Sequence, residues 1–353
     1  MGKTRNYGID LLRLVFMFMV CMLHTLGQGG ILDACEEGSL RFRTFWLLEI
    51  LSYSAVDGFA FISGYMSPDK PRKYEKLVEM WFQAFFYSFA VTLFLTAVGV
   101  GESLGKKDML QCAFPVTYRK FWYFSSFFIL YLSIPILNRY LFAIEESTAK
   151  KTLLVLFLLF SVISVGKDVD DPFELQNGYS AIWLLILYCM GVLAKRIRLF
   201  ETRKTSSLLL LWALCVLLTW GHRVFADNER LVNYVSPTVL LSGILLVVLF
   251  SRLPVRGKGI ATLSPLAFGI YLFQMNQVFW CQVLNGAFAF VAGKNVAVGV
   301  VCVFAFAGAI FLSGLAVEFV RSKLAKLCKI PALSRKIVEL ANGALGKASS
   351  LLK

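Results

Sequence analysis

Gly8-Ile9-Asp10-Leu11-Leu12-Arg13-Leu14-Val15-Phe16-Met17-Phe18-Met19-Val20-Cys21-Met22-Leu23-His24-Thr25-Leu26-Gly27 decides the fold of this chain. As a helix rising about 1.5 Å per residue, the stretch is long enough to cross the hydrocarbon core of a bilayer. It is Leu, Val, Phe and Met almost throughout, yet it carries three ionisable side chains. Each is expensive inside a membrane unless paired or hydrated, so three in one span read as a functional site. Asp10 and Arg13 stand one turn apart, where they can neutralise each other. Eleven steps of about 100° bring His24 to within about 20° of Arg13, roughly 16 Å further along. One stripe of this helix therefore carries an acid–base pair and, three turns on, an imidazole. A structural ion pair plus an interfacial histidine is the competing explanation. The chain has only two histidines and places one here, which favours function.

The remainder of the sequence extends the same class. Apolar residues make up 58% and charged residues 16%, with 32 Phe and a mean hydropathy of +0.69, whereas soluble domains average about 25% charged residues. Apolar runs recur near 8–27, 45–66, 77–100, 121–138, 152–167, 178–194, 205–222, 234–251, 260–281 and 295–318. The expectation is an all-α, polytopic membrane helical bundle of about ten transmembrane helices. Residues 1–320 would form the membrane domain and 321–353 a basic cytoplasmic tail, amphipathic enough to lie on an anionic leaflet. The first span lacks a small-residue cleavage pattern and reads as a retained helix.

A net charge of +14 raises nucleic acid as a partner, and its distribution argues against one. With the N-terminus inside, 25 of the 36 Lys and Arg fall in inner segments, 10 in outer ones, and Arg13 lies within the membrane. That positive-inside bias predicts both termini in the cytoplasm. The loop carrying Asp168, Asp170, Asp171 and Glu174 then faces outward. The 8 cysteines show no metal-ligand spacing, so no metal is expected. Cys35 and Cys112 fall in predicted outer loops, where an oxidising compartment would permit a bridge, although chance placement explains them as well.

Other polar residues in the spans add candidates. Asp57 lies mid-span among Gly58, Ser63 and Gly64, small residues that permit close helix approach. A packing face with one hydrogen-bonded acid and a direct role at the site fit equally well. Lys70-Pro71-Arg72-Lys73 follows on the predicted cytoplasmic side; it is a topology signal, and it is also placed to grip the phosphates of a cytoplasmic donor. Trp122 and Tyr123 open the fourth span at the outer interface, where such rings settle for amphipathic reasons and where they can stack on a sugar. His222 reads as a plain interfacial residue.

Taken together, these pieces resemble the acyltransferase 3 family, polytopic bacterial membrane acyltransferases. The resemblance rests on Asp10-x-x-Arg13-x10-His24, Val56-Asp57-Gly58-Phe59…Ser63-Gly64-Tyr65 and Phe121-Trp122-Tyr123…Tyr131-Leu132-Ser133-Ile134-Pro135-Ile136-Leu137-Asn138. Tyr188-Cys189-Met190-Gly191 and Phe268-Gly269-Ile270-Tyr271-Leu272-Phe273 complete it. It runs in order from about residue 5 to about 318. One departure stands out: many members carry His where this chain has Gln274. No hydrolase-like domain accompanies the membrane region, so the core would transfer the acyl group alone.

The resemblance implies an O-acyltransferase, most simply an O-acetyltransferase, of the bacterial plasma (inner) membrane. It would move an acyl group from cytoplasmic acetyl-CoA, or another acyl-CoA, to a hydroxyl of an extracytoplasmic glycan, with a homodimer left open. His24, Arg13 and Asp10 would form the catalytic group. Arg72, Lys73, Asp57, Ser63 and Tyr65 would serve the donor side, and Trp122 and Tyr123 the acceptor. Histidine titrates near neutrality and can act as general base or as acyl carrier; the sequence leaves both open. A transporter or flippase of envelope precursors is the alternative. It would predict internal pseudo-symmetry, and the sequence shows no repeat.

Overall fold

Fifteen α-helices, interrupted by short 3-10 and π segments, make up the chain among the described residues, and no strand occurs there. The structure is a computed structural model that describes residues 5–69, 72–101, 104–166, 170–226 and 228–351, with side chains to 346. Lys3, Lys70, Pro71, Lys167, Asp168 and Lys353, used above in reading charge, lie outside the described residues.

Helix α1 (Tyr7–Leu26) starts where Asn6 caps it, its side-chain oxygen accepting from the Ile9 amide at 3.0 Å. The same Asn6 amide donates to Ser251 O at 2.9 Å and ties this end to a distant helix. Ile9, Leu12, Phe16, Cys21 and Leu26 are fully buried. The helix packs against α2 (Leu40–Tyr53), α3 (Ala55–Tyr65), α11 (Pro237–Ser251), α13 (Ala267–Gln274) and α14 (Val296–Leu327). It is the inner staff of the bundle.

Small residues set the closest crossings. Helices α3 and α9 (Ala181–Arg196) make the most extensive helix–helix contact. A Cβ on Gly64 would fall 2.0 Å from Tyr188 O, and one on Gly191 would fall 2.2 Å from Phe61 O. Neither backbone can yield, so the two helices touch only because both positions lack a side chain. Gly58 likewise admits the Phe16 ring, 2.1 Å from where its Cβ would be. The small residues around Asp57 therefore do form a packing face.

The remaining elements are α4 (Tyr74–Phe85), α5 (Thr92–Ala97), α6 (Lys106–Ala113), α7 (Trp122–Leu141), α8 (Glu146–Phe157), α10 (Thr205–Phe225), α12 (Lys258–Leu263) and α15 (Ile330–Leu351). A π segment, Phe86–Val91, joins α4 to α5 in one continuous helix. Here the Asn276 amide donates to Tyr87 O at 2.8 Å and to Thr92 Oγ1 at 2.7 Å. A side chain inserted into the i→i−4 ladder is one recognised origin of such a bulge.

Among the described residues, seven helices are long and apolar enough to cross a membrane: 7–26, 40–65, 74–97, 122–141, 146–165, 205–225 and 296–327. Three of the expected spans take other forms. Helix α9 has 16 residues and α11 has 15. The stretch 260–281 is broken into α12, a 3-10 turn at Ser264–Leu266 and α13, and it stops at Gln274. Pro265 accounts for the first break. At the second, Asn276 Oδ1 accepts from the amides of Val278 and Phe279, both at 3.1 Å, and starts a new turn instead of continuing the old one. Apolar composition alone could not register either event.

Two boundaries also move. Helix α8 begins at Glu146 rather than near 152, with Lys150 paired to Glu146 at 2.6 Å one turn away. Helix α14 ends at Leu327 rather than near 318, 32 residues in all. Glu318 is buried in it and held by Arg321 at 2.7 and 2.8 Å and by the Tyr87 hydroxyl at 3.0 Å. The tail beyond Lys329 is the helix α15, which packs along α4.

Candidate functional site

A cavity of about 540 Å3 runs along one face of α1, with Arg13, Met17, Val20, Leu23 and His24 all in its wall. These residues recur every three or four positions, the stripe expected of a helix side. Arg13 and His24 therefore do share one space. The opposing walls come from Glu49, Tyr53, Val56 and Phe59 on α2 and α3, Trp122 and Tyr123 at the start of α7, and Tyr179 and Tyr234 from loops. Ser264, Phe268, Tyr271, Met275 and Trp280 close it.

At the N-terminal end of α1, Asp10 is 4% exposed and has three partners. Arg13 Nη1 donates to Oδ1 at 2.8 Å, Ser264 Oγ donates to the same oxygen at 3.3 Å, and Arg5 Nε donates to Oδ2. Arg5 also donates to Ala261 O at 2.9 Å. Two cations against one carboxylate leave positive charge facing the cavity through Arg13. Arg5 itself lines a second, open cleft of about 760 Å3 that includes Asn6, Tyr7, Ser251 and Arg256. Asp10 thus holds an arginine of each cavity, and it marks the wall between them.

At the other end, His24 Nδ1 donates to Gln274 Oε1 at 2.9 Å. Gln274 is fully buried, and its amide nitrogen is turned toward Met17 Sδ at 3.7 Å. This leaves the carbonyl oxygen for the imidazole, so Nδ1 carries the proton and Nε2 keeps its lone pair. Trp280 stands edge-on to the ring with centroids 4.7 Å apart. The imidazole is oriented on two sides.

The other candidates divide into two groups. Trp122 and Tyr123 line the cavity: the Trp122 ring lies 4.6 Å from that of Tyr179, and the Tyr123 amide donates to the Tyr271 hydroxyl at 3.2 Å. Asp57, Ser63, Tyr65, Arg72 and Lys73 are absent from the cavity wall. Asp57 is 1% exposed and accepts from Trp183 Nε1 at 2.9 Å across the α3–α9 contact. Ser63 Oγ donates back to Phe59 O at 3.0 Å within its own helix. The Tyr65 hydroxyl lies 3.5 Å from Ser251 Oγ, a wall of the second cleft, and Lys195 sits 4.8 Å over its ring. Arg72 donates to Ser67 Oγ at 3.1 Å and lies over Tyr131, whose hydroxyl donates to Lys73 O at 2.9 Å. Lys73 itself is exposed.

Sequence reasoning missed Gln274 as the partner of His24, Arg5 and Ser264 as partners of Asp10, and Glu49 as a wall residue. Glu49 was legible in principle, since it is an acid inside an expected span. No pair of the 8 cysteines is bridged, and Cys35 and Cys112 are both free and buried. Among the described residues no three His, Cys, Asp or Glu side chains cluster as metal ligands would.

Fold and site define a multi-pass, helical membrane protein with a largely apolar cavity inside the bundle, an oriented histidine at one end and an arginine at the other. The acyltransferase-domain family model matches residues 6–314, nearly the whole chain, and the chain belongs to the acyltransferase 3 family of membrane acyltransferases. No curated protein and no solved structure matches it.

Proposed function

We propose that this protein is an O-acyltransferase of the bacterial plasma membrane that moves an acyl group, acetyl in the simplest case, from cytoplasmic acyl-CoA to a hydroxyl of an extracytoplasmic glycan. About ten spans with both termini cytoplasmic complete this reading. They would put the Arg13 end of the cavity toward the donor and the His24 end toward the acceptor.

The observation that carries it is the imidazole held through Nδ1 by Gln274, with its ring in the wall of the Arg13 cavity. Acyl transfer from a thioester to an alcohol needs the hydroxyl proton removed as the oxygen attacks. His24 Nε2 takes that proton while the acceptor oxygen bonds to the thioester carbonyl carbon. The carbon–sulfur bond then breaks, and the departing sulfur recovers the proton from the imidazolium. Charge gathers on the carbonyl oxygen in between; Arg13, roughly 16 Å from His24 along α1, stands too far away to meet it and is placed to hold the donor instead. In the covalent variant of this scheme the imidazole itself holds the acyl group before the acceptor arrives.

On the donor side, Arg72 and Lys73 present cations near Ser67, and Arg5 and Arg256 present two more in the second cleft. Asp57, Ser63 and Tyr65 serve that side as the packing that fixes α3, with Tyr65 reaching the cleft through Ser251.

The test is transfer of labelled acetyl from acetyl-CoA to envelope glycan in vesicles, comparing the native protein with His24→Ala at equal expression. Positioned acid–base groups typically contribute about 10²–10⁴-fold, so the variant should fall well below a tenth of native activity. Retention of more than about a tenth would remove His24 from the chemistry.

A further inference from the structure

Among the described residues Glu49 is the one acid in the wall of the cavity along α1, and the acyl-transfer scheme makes no use of it. It sits on α2 and is 8% exposed. Asp10 has two arginines and a serine, and Asp57 has Trp183. Glu49 differs: among the described residues neither oxygen has a hydrogen-bond or ion-pair partner, and Oε2 is buried without one. A buried carboxylate without donors is costly to fold around. It becomes reasonable where something else brings the donors.

What surrounds it narrows the class of visitor. Tyr53 and Tyr234 have ring centroids 4.9 Å apart, Tyr234 and Tyr179 5.1 Å, and Tyr179 and Trp122 4.6 Å. All four line the same cavity as Glu49, and they come from four separate segments of the chain. The rings follow one another as a band, tilted by 31°, 58° and 54°, and do not close as a box around a point. A band suits a flat ligand with apolar C–H faces; a box would suit an ammonium. A carboxyl group without a protein partner beside that band leaves its oxygens to hydrogen-bond the hydroxyls of a ligand. A ring bearing its own carboxylate would bury a charge beside Glu49 and the four aromatic rings with no cation among them to pair it.

We propose that Glu49, framed by Tyr53, Tyr179, Tyr234 and Trp122, seats a neutral pyranose ring by hydrogen-bonding to its hydroxyls. The site thereby selects uncharged over carboxylated sugars. That this ring belongs to the acyl acceptor rests on the acyl-transfer reading above; that it binds does not. The hydroxyls held by Glu49 are then ones other than the hydroxyl presented to His24, and they fix which of the acceptor's oxygens is acylated.

The experiment is saturation-transfer-difference NMR on the full chain in nanodiscs. The probes are the methyl pyranosides of glucose, galactose and mannose, with methyl glucuronide and methyl glucosaminide alongside. At least one neutral pyranoside should bind and the glucuronide should not. Glu49→Gln, close in shape, should weaken the bound sugar at least fivefold, and Tyr179→Leu, on a different segment, should do so too. The proposal is overturned if no neutral pyranoside binds, if both variants bind it like the native protein, or if the glucuronide binds as well. Preference for the protonated glucosaminide would overturn it in favour of an ammonium site. Acetyl-CoA turnover by the native protein is measured separately. Sugar binding without turnover would leave this site standing and remove the acyl-transfer reading; turnover without Glu49-dependent binding would do the reverse.

Discussion

Gln274→Leu should disable the enzyme while leaving the fold in place. Gln274 Oε1 accepts from His24 Nδ1 at 2.9 Å, and the amide is fully buried, so water cannot replace it. Leucine is similar in size and removes the acceptor, together with the weak amide contact to Met17 Sδ. The imidazole is then left with an unsatisfied Nδ1–H, which costs about 1–3 kcal/mol in a buried setting. It escapes that cost by moving its proton to Nε2, the nitrogen that must be free to accept one from the acceptor hydroxyl. Either outcome raises the barrier by that amount, which at about 1.4 kcal/mol per decade means a loss of roughly 5- to 150-fold in kcat. Gln274→Glu keeps an oxygen at the same reach and should retain more activity than the leucine variant. Gln274→Asn, one methylene shorter, should resemble the leucine variant. The assay is labelled acetyl transfer from acetyl-CoA in vesicles at saturating donor, with KM for acetyl-CoA measured in parallel. Loss should appear in kcat and not in that KM. A leucine variant within twofold of native kcat, or one whose whole defect lies in KM, would refute the orienting role.

Two further expectations concern the charged end. Asp10 and Arg13 should behave as one unit, so Arg13→Ala should cost activity and expression, and Arg13→Lys should restore expression better than activity, since an ammonium keeps the charge without the planar fork. A double-mutant cycle with Asp10→Asn, read in acetyl transfer, should give a coupling above about 0.5 kcal/mol; a value within about 0.3 kcal/mol of zero would mean the two act separately. Neutralising Arg72 and Lys73 together should raise the apparent KM for acyl-CoA more than it lowers turnover at saturating donor, and an unchanged KM at low salt would leave that cluster as a topology signal alone.

The line between sequence and tertiary structure falls at the edge of each helix. Sequence alone determined that this chain is a bundle of apolar helices, because length and hydropathy are properties of a single segment in lipid. It also put Asp10, Arg13 and His24 on one stripe, because 3.6 residues per turn is fixed by local backbone geometry. The glycine contacts at Gly58 and Gly64 were legible for the same reason. What a stripe faces is another matter. Helices such as α11 and α14 are apolar all round, so no periodicity says which side turns inward.

Only the packed bundle could therefore join His24 to Gln274, 250 residues away, or Asp10 to Ser264, 254 away. Only it could turn Asp57 from the cavity toward Trp183 and leave Glu49 in the cavity wall. The second break in the expected ninth span belongs there in part, since Asn276 caps the next turn locally and also reaches the π segment of α4–α5. Apart from that local cap and the placing of Glu49, each of these is a hydrogen bond between groups far apart in sequence. Such bonds follow from which helices neighbour each other, and among spanning helices that are mostly apolar that order is set by packing and polar satisfaction, not by hydrophobicity.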